Sequence, residues 1–277
     1  MSPDRPFDLR VTGVCRLGPT FVRVTAAGED LADFAGHGGD QRINLLFGAH
    51  RAFAATTDWV ATWQAERVPL RTYTVRAFRR QAREVDVDFV LHSDAGPASR
   101  WAGAVRIGDP LTMIGPVTGA AVADVAWAPP PGAGRLLLAA DEAAVPAAAA
   151  IVEGLGGRAA TVVLEVPDPA DATVVPATPG VELIWLCRAR GERLGPVVRS
   201  LVADLEPPAA GADAAPESDP DDIWDVPDNA EGGFYAWLAG EAGAVTDLRR
   251  HLVRDRGFDR RSVAFMGYWK RGRAQAN

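Results

Sequence analysis

Arg71-Thr72-Tyr73-Thr74-Val75-Arg76 is the stretch around which the rest of the chain is interpreted. Apolar and polar residues alternate through 68–78, which predicts a β-strand there. Such a strand brings an arginine, a tyrosine and a hydroxyl close together. A guanidinium binds phosphate through two hydrogen bonds at once, and a tyrosine can lie against a flat ring. The stretch therefore predicts a site for a ligand that carries both a phosphate and a ring system.

Other short strands surround this stretch in the first half of the chain. They cover 7–25 as a hairpin, then 42–47, 84–92 and 110–114. One helix is predicted at 98–104. Trp59 and Trp63 have helical spacing, which indicates a surface helix packed on the sheet. Many short strands with one helix predict a six-stranded antiparallel barrel over residues 1–127.

The pattern changes in the second half, where 128–134 has the proline and glycine content of a linker. Beyond it strands alternate with helices. The predicted strands are 136–140, 161–166, 181–186, 234–239 and 263–268, and the helices are 143–155, 194–205 and 242–254. This alternation predicts a doubly wound parallel sheet over 134–277. Residues 207–231 are rich in Ala, Pro and Asp and predict a mobile acidic loop.

Charge and composition limit the possible classes of function. The formal net charge of −7 and the sequence pI of about 5.2 disfavour a general nucleic-acid binder. Cys15 and Cys187 lie far apart and match neither an iron–sulfur motif nor a disulfide framework. No apolar run has transmembrane length and the N-terminus has no signal-peptide pattern. We therefore expect a cytoplasmic protein, monomeric and without contacts to membranes or nucleic acid.

Three motifs, taken in order, carry a resemblance to a known family. They are Arg71-x-Tyr73-Thr74-x-Arg76, the stretch Gly96–Ala102 and the stretch Gly267–Arg273. Together they resemble the siderophore-interacting proteins, a branch of the ferredoxin-reductase-like flavoproteins. The motifs extend over most of the chain. The resemblance implies an FAD-binding β-barrel at 1–127, followed by an NAD(P)H-binding-like α/β domain at 134–277.

The resemblance also implies where FAD is held. Arg71 would contact its phosphate side, Tyr73 would lie against the isoalloxazine, and Thr74 would come near the redox-active N5. The remaining implied FAD contacts are Arg76, His92, Gly96, Ala98, Ser99 and Trp269. A helix N-terminus at 96–99 suits the FAD pyrophosphate, although the same turn is typical of an ordinary helix cap. A lone histidine at a strand end is also more often structural.

The second half predicts a donor site and a substrate site. The residues assigned to the NAD(P)H region are Asp141, Glu142, Gly240 and Glu241, at the carboxyl ends of predicted parallel strands. No GxGxxG follows the first of these strands, and simple helix capping explains the two acids at 141–142 equally well. Lys270, Arg271 and Arg273 form a basic tail. That tail would attract an anionic ferric siderophore, or it is a solvated end.

These expectations favour an FAD-dependent ferric-siderophore reductase, an oxidoreductase of iron acquisition. Electrons would pass from NAD(P)H, or from a ferredoxin, through the flavin to siderophore-bound iron(III), which releases iron(II). No catalytic acid, base or nucleophile and no resident metal is expected. The alternatives are a general flavin reductase serving a partner protein and a noncatalytic siderophore-binding flavoprotein. The siderophore and the electron donor are left open.

Overall fold

The computed structural model describes residues 4–48, 50–54, 56, 58–92, 96–121, 123–172, 174–207, 224–225 and 233–272. The chain forms two compact units, which part between Val125 and Ala126. None of the described helices combines the length and the apolar character that crossing a bilayer requires. Most of the predicted acidic loop at 207–231 lies outside the described residues.

The first unit is built on an antiparallel sheet, with seven strands among the described residues. They are β1 (Asp4–Arg16), β2 (Phe21–Ala27), β3 (Arg42–Leu46), β4 (Leu70–Thr74), β5 (Ala77–Arg79), β6 (Glu84–Val90) and β7 (Pro110–Pro116). Their order across the sheet is β4-β3-β7-β1-β2-β6-β5. Helices α1 (His50–Ala54) and α2 (Trp59–Glu66) lie between β3 and β4, and α3 (Pro97–Ala104) lies between β6 and β7.

The prediction of six strands was wrong by one, because the predicted strand at 68–78 changes partners in its middle. β4 pairs with β3, and β5 pairs with β6 at the other edge of the sheet. Between them, the Val75 N–H donates to the carbonyl of Gln41 at 2.8 Å, and the Arg76 N–H donates to that of Asp86 at 2.9 Å. The three Cα–Cα steps from β4 to β5 span at most about 11 Å. The sheet therefore curls until its two edges meet, as the predicted barrel requires.

Alternating residues of these strands fill the core of the first unit. The largest buried side chains of this core include Phe7, Leu9, Phe34, Leu45 and Phe89. A second apolar cluster lies where α2 packs on the sheet, as the tryptophan spacing predicted. It contains Leu46, Phe53, Val68 and Ile114, with Trp59 and Trp63 packed against it. The indole Nε1 atoms of both tryptophans donate to backbone carbonyls, so the buried N–H groups are satisfied.

The second unit is a parallel sheet with helices, as predicted. Its described strands are β8 (Arg135–Asp141), β9 (Ala160–Val166), β10 (Val181–Cys187), β11 (Trp224–Asp225), β12 (Phe234–Glu241) and β13 (Val263–Trp269). Its helices are α4 (Val145–Glu153), α5 (Leu194–Leu201) and α6 (Ala242–Arg250). Helix α5 ends four residues before the predicted boundary at Leu205, because 202–204 form a turn. The two-residue β11 pairs antiparallel with β13.

The strand order β10-β9-β8-β12-β13-β11 places the chain reversal between β8 and β12. Successive strands extend the sheet in one direction from β8 to β10, and the chain then crosses back to place β12 on the other side of β8. In open α/β sheets, ligands bind beyond the carboxyl ends of the strands at such a reversal. The residues at those two ends are Asp141 and Glu241. The topology therefore points to the carboxyl ends of β8 and β12, here termed the carboxyl edge, as the candidate ligand site of the second unit.

Candidate functional site

The motif strand β4 presents Arg71 and Tyr73 on the same side, because side chains alternate along a strand. Both side chains are half-buried. The Arg71 Nη1 donates to the carbonyl of Leu70 at 2.7 Å. Thr74, predicted to lie near the flavin N5, is only 6% exposed at the end of the strand. The structure thus brings the arginine and the tyrosine of the motif together, as the sequence predicted.

Four aromatic rings connect the motif strand to the second motif. The Tyr73 ring lies 4.5 Å from the Phe89 ring, and the Trp101 ring of α3 lies 5.5 Å from both Phe89 and Phe47. Burial raises the pKa of Tyr73, so its phenol stays protonated and can donate a hydrogen bond. Neither Phe47 nor Trp101 is among the site residues predicted from the sequence. Trp101 could have been selected from the sequence as a site residue, because it lies inside the motif 96–102.

Arg76, the second arginine of the motif, has a different environment from Arg71. Its side chain is buried, and its Nε lies 3.7 Å from Oδ2 of Asp88. Arg23 binds the same carboxylate with two hydrogen bonds of 2.7 and 2.8 Å. Asp88 itself is 2% exposed, so two cations compensate one buried charge. Arg76 therefore acts where the sheet closes, and its predicted contact with FAD stays a prediction.

The second motif forms the N-terminus of α3. Gly96 is its N-cap residue, and no described side chain accepts a hydrogen bond from the first turn. Pro97 has no N–H, so the N–H groups of Ala98 and Ser99 are the donors of this turn for which the described residues supply no side-chain acceptor. The Ser99 hydroxyl accepts a 3.1 Å hydrogen bond from the backbone N–H of His92. That bond ties the end of β6 to the helix, whereas the His92 side chain is exposed.

These features fit the FAD group that the motif implies. The N-terminus of the eight-residue helix α3 offers backbone donors to a pyrophosphate. Within the described part of the chain, no heavy atom lies within 4 Å of where a Cβ on Gly96 would be. The half-buried Tyr73 offers a ring face and a protonated phenol. Arg71 adds a cation on the same strand. The donor set and the open approach therefore match a phosphate-bearing aromatic ligand.

In the second unit, the buried Asp141 joins three strand ends. Its carboxylate accepts hydrogen bonds from the backbone N–H of Ala143 (3.0 Å), the backbone N–H of Glu241 (2.7 Å) and the indole Nε1 of Trp269 (2.8 Å). Burial and the nearby charge of Glu142 raise the pKa of Asp141 to about 7. All three donors come from the protein itself. Helix α4 begins at Val145 with Ala144 as its N-cap residue and has no side-chain cap, so Asp141 fixes the turn before the helix and is not its cap.

Gly240, another residue predicted for the NAD(P)H region, makes room for that carboxylate. Its φ is +147°, and an added Cβ would lie 2.6 Å from both Cγ and Oδ2 of Asp141. A side chain at this position would therefore displace Asp141 as well as strain the backbone. The predicted contact of Gly240 with NAD(P)H stays a prediction.

Glu142, next to Asp141, belongs to a separate cluster. It is 5% exposed, and its Oε1 forms a short ion pair with Arg188, whose other nitrogen donates to Glu165 at 3.1 Å. The Oε2 of Glu142 has no hydrogen-bond partner in the described structure. Among the described residues, no group of His, Cys, Asp and Glu side chains could hold a metal ion. Arg188 thus holds the buried Glu142 inside the second unit, and the predicted contact of Glu142 with NAD(P)H stays a prediction.

Glu241 connects the edge to the basic tail. Its Oε2 accepts the N–H of Ala244 at 2.9 Å and so caps α6, and its Oε1 accepts the N–H of Arg271 at 3.1 Å. Lys270 and Arg271 are exposed, and neither side chain has an ion-pair or hydrogen-bond partner in the described part of the chain. Arg273 lies outside the described residues. The structure thus gathers Asp141, Glu241, Trp269 and the start of the tail at one edge.

Comparisons with known families match both units. The siderophore-interacting FAD-binding domain matches residues 10–121, and the siderophore-interacting protein family matches residues 133–272. Ferric vibriobactin reductase ViuB of Vibrio cholerae is 30% identical over 259 residues, which are 91% of this chain and 84% of that protein.

Two further comparisons agree. The NADPH-dependent ferric-chelate reductase of Escherichia coli is 27% identical over 270 residues, with 95% of this chain and 92% of that protein covered. A crystal structure of a siderophore utilization protein from T. fusca superposes with a TM-score of 0.73 at 30% identity. That match covers 100% of this chain and 97% of the other.

Proposed function

The chain belongs to the siderophore-interacting protein family, and on that premise we propose that it is an FAD-dependent ferric-siderophore reductase supplied with electrons by NAD(P)H. One observation carries the proposal most directly. The rings of Tyr73 and Trp101 both pack on Phe89. The motif strand β4 and the N-terminus of helix α3 therefore belong to one site. A site with these donors on both sides of an aromatic cluster suits a flavin dinucleotide.

Four groups of the first unit would hold the cofactor. The guanidinium of Arg71 and the N–H groups of Ala98 and Ser99 would bind the phosphates, since both kinds of donor suit anions. Tyr73 would lie against the ring system, with its protonated phenol available as a donor. When bound, FAD supplies the hydride acceptance and the single-electron delivery that the reaction requires. The protein's own side chains bind, orient and shield; no acid, base or nucleophile among them is assigned to a step.

The electron donor belongs at the carboxyl edge of the second unit. The reversal between β8 and β12 is the place where open α/β sheets bind nucleotides. The similarity to a relative named as NADPH-dependent supports a nicotinamide donor for this chain too. A reduced ferredoxin is the competing donor, so the test includes it.

The substrate is proposed to be a ferric siderophore that meets the basic tail. The exposed Lys270 and Arg271 lie on a chain of formal charge −7, so they form a local cationic region for an anionic chelate. Hard oxygen ligands hold iron(III) more tightly than iron(II), so a one-electron reduction releases the metal. The similarity to a ferric vibriobactin reductase supports this class of substrate.

The test has two stages. The holoprotein is first reduced anaerobically with NADPH, NADH or reduced ferredoxin, and the flavin absorbance is followed. A ferric siderophore is then added, and iron(II) is trapped with a ferrous chelator. We expect a nicotinamide donor to bleach the flavin. The ferric siderophore should then reoxidise the flavin, and one iron(II) ion should be trapped for each electron that the flavin loses. Binding of the siderophore without reoxidation would instead indicate a noncatalytic flavoprotein, and flavin reduction without iron(II) release would indicate a general flavin reductase.

A further inference from the structure

Asp141 is a buried carboxylate that forms no ion pair within the described part of the chain. Its three hydrogen-bond donors are all neutral: the backbone N–H groups of Ala143 and Glu241 and the indole N–H of Trp269. The buried Asp88, by contrast, pairs with two arginines. A buried charge without a counter-ion is costly, so the Asp141 carboxyl binds a proton more readily than an ordinary aspartate does.

The charges around Asp141 act in the same direction. Glu142 is the next residue in the chain, and its negative charge together with burial raises the pKa of Asp141 to about 7. The nearest arginine, Arg188, is occupied by Glu142 and by a second carboxylate. The charged residues at the ends of the neighbouring strands are, in chain order, Glu142, Glu165, Arg188, Glu241, Lys270 and Arg271.

The two oxygens of Asp141 bind different numbers of donors. Oδ2 accepts the N–H of Glu241 at 2.7 Å and the indole of Trp269 at 2.8 Å. Among the described residues, Oδ1 accepts a single hydrogen bond, from the N–H of Ala143 at 3.0 Å. A proton on Oδ2 would compete with two donors, whereas a proton on Oδ1 competes with one. Protonation at Oδ1 is therefore favoured, and it displaces the N–H of Ala143.

The turn before α4 can tolerate the loss of this bond. The N–H of Ala144 donates to the backbone carbonyl of Asp141 at 2.9 Å, which closes the turn independently of the carboxylate. Ala143 is half-buried, whereas Glu142 and Ala144 on either side of it are buried. Ala143 is therefore the residue of this turn that a ligand can reach. The turn follows β8 at the carboxyl edge, where open α/β sheets bind nucleotides.

We propose that Asp141 is a proton switch for the electron donor: a proton on its Oδ1 releases the N–H of Ala143, which then binds an anionic group of a nicotinamide dinucleotide. This inference rests on the proposed function for the identity of the donor. The pyrophosphate of the donor is anionic, so its arrival favours the uncharged carboxyl. Such a coupling is reciprocal, so proton binding and donor binding strengthen each other.

The experiment measures the binding of tetrahydro-NADH to the oxidised holoprotein by titration calorimetry, on both sides of pH 7. This analogue cannot transfer a hydride, and it lacks the 2′-phosphate, whose own titration would change the charge of the ligand. Buffers of different ionisation enthalpy give the number of protons taken up for each molecule bound. Asp168→Asn is the control, because Asp168 is a carboxylate that also accepts a backbone N–H from a neighbouring turn.

We expect the wild type to take up about half a proton for each molecule bound near pH 7, where its free Asp141 is half-protonated. Its affinity should fall about fivefold over the first pH unit above that value. Asp141→Asn should take up no proton and should keep, at alkaline pH, the affinity that the wild type shows at acid pH. Its carbonyl oxygen can accept the two donors of Oδ2, and its NH2 group leaves the N–H of Ala143 unbound.

Two further variants should move the midpoint of the pH dependence in opposite directions. Glu142→Gln removes the neighbouring like charge, so the midpoint should move to lower pH. Trp269→Phe removes a hydrogen bond to the ionised carboxylate, so the midpoint should move to higher pH. These two variants keep the test decisive if Asp141→Asn does not fold.

Three results would overturn the inference: no proton uptake by the wild type, the same uptake by Asp141→Asn, or midpoint shifts of the two further variants in one direction. Failure of the analogue to bind at any pH would overturn it as well, whereas ferric-siderophore reduction by reduced ferredoxin would survive that result. The proposed function fails in a distinguishable way. In that case the analogue would bind with the expected proton uptake, but neither NADH nor NADPH would drive iron(II) release.

Discussion

The indole Nε1 of Trp269 donates a 2.8 Å hydrogen bond to Oδ2 of Asp141, and so connects the last strand of the second unit to its first. The two residues are 128 positions apart in the chain. The same oxygen accepts the N–H of Glu241 at 2.7 Å, which adds β12 to the connection. One buried carboxylate therefore fixes three strand ends at the edge where the topology locates a ligand.

The free energy of unfolding should depend on pH through the titration of Asp141. Its folded-state pKa of about 7 lies above its ordinary value of 3.8, so the folded state binds this proton more tightly than the unfolded state. The contribution is complete below about pH 4 and is lost as the pH rises to about 7. Asp141→Asn should abolish that loss, because a neutral amide does not titrate in this range.

Urea unfolding followed by tryptophan fluorescence across this pH range measures the difference between variant and wild type. Asp168→Asn is the control, since in the described structure the Asp168 carboxylate accepts a single N–H, that of Ala170, in a more exposed turn. Parallel pH profiles for the wild type and Asp141→Asn would show that Asp141 titrates normally.

Gly240→Ala should destabilise the second unit by about 1–3 kcal/mol, the usual range for a side chain forced into such a backbone conformation. The added Cβ would also displace the Asp141 carboxylate, which lies 2.6 Å away. Trp269 fluorescence should therefore shift as well. Gly134→Ala is the control, because its Cβ would meet nothing within 4 Å. Equal melting temperatures for the two variants would contradict the crowding at position 240.

The purified protein should be yellow and release FAD rather than FMN. The reason is the second proposed anion site at 96–99, which would suit a pyrophosphate, in addition to the cation at Arg71. Heat release of the cofactor followed by chromatography identifies it. Recovery of FMN alone would show that the helix N-terminus holds no dinucleotide.

Arg71→Ala should lose flavin more severely than Arg76→Ala. A lost charge-assisted hydrogen bond costs about 1.5–3 kcal/mol, which is about ten- to a hundredfold in affinity. The buried Arg76 pairs with Asp88, so its replacement should chiefly lower the stability of the apoprotein. Flavin titration and urea unfolding of both variants separate the two effects. Equal flavin affinities would mean that the ranking is wrong.

Replacing Lys270, Arg271 and Arg273 by Gln should leave flavin binding and stability largely unchanged. It should slow reoxidation of the reduced protein by an anionic ferric siderophore, and hardly affect a small neutral acceptor. The difference should shrink as salt rises, because screening removes the wild-type advantage. Stopped-flow at low and high ionic strength is the measurement, with Arg260→Gln as control. Slowing of all acceptors alike would assign the tail to the fold.

Local patterns in the sequence predicted most of the architecture. Alternation located the barrel strands, and continuous apolar runs located the parallel strands. The pattern could not show that the predicted strand at 68–78 divides, because Val75 and Arg76 continue its alternation while their N–H groups bind different strands. Which strands the backbone groups bind depends on residues that are distant in the sequence, so the local pattern does not show it.

The same limit applies to the candidate site. Asp141 and Glu142 were predicted as a pair with one role, since they are adjacent at a strand end. The structure gives them separate roles, because Asp141 meets Trp269 and Glu142 meets Arg188. Phe47 was missed because a single aromatic residue at a strand end has no distinguishing local pattern. The residues of the quoted motifs, by contrast, were locally encoded and could be found.

The division of the motif strand makes the proposed cofactor site the seam of the barrel. Unpaired backbone groups at the edge of a sheet are templates for association with other chains, and Val75 and Arg76 satisfy two such N–H groups by binding different strands. Here the residues that join the edges, Val75 and Arg76, directly follow those assigned to the flavin. A change that opens this junction should therefore first lower the stability of the first unit, and only through that loss disturb the neighbouring site proposed for the flavin.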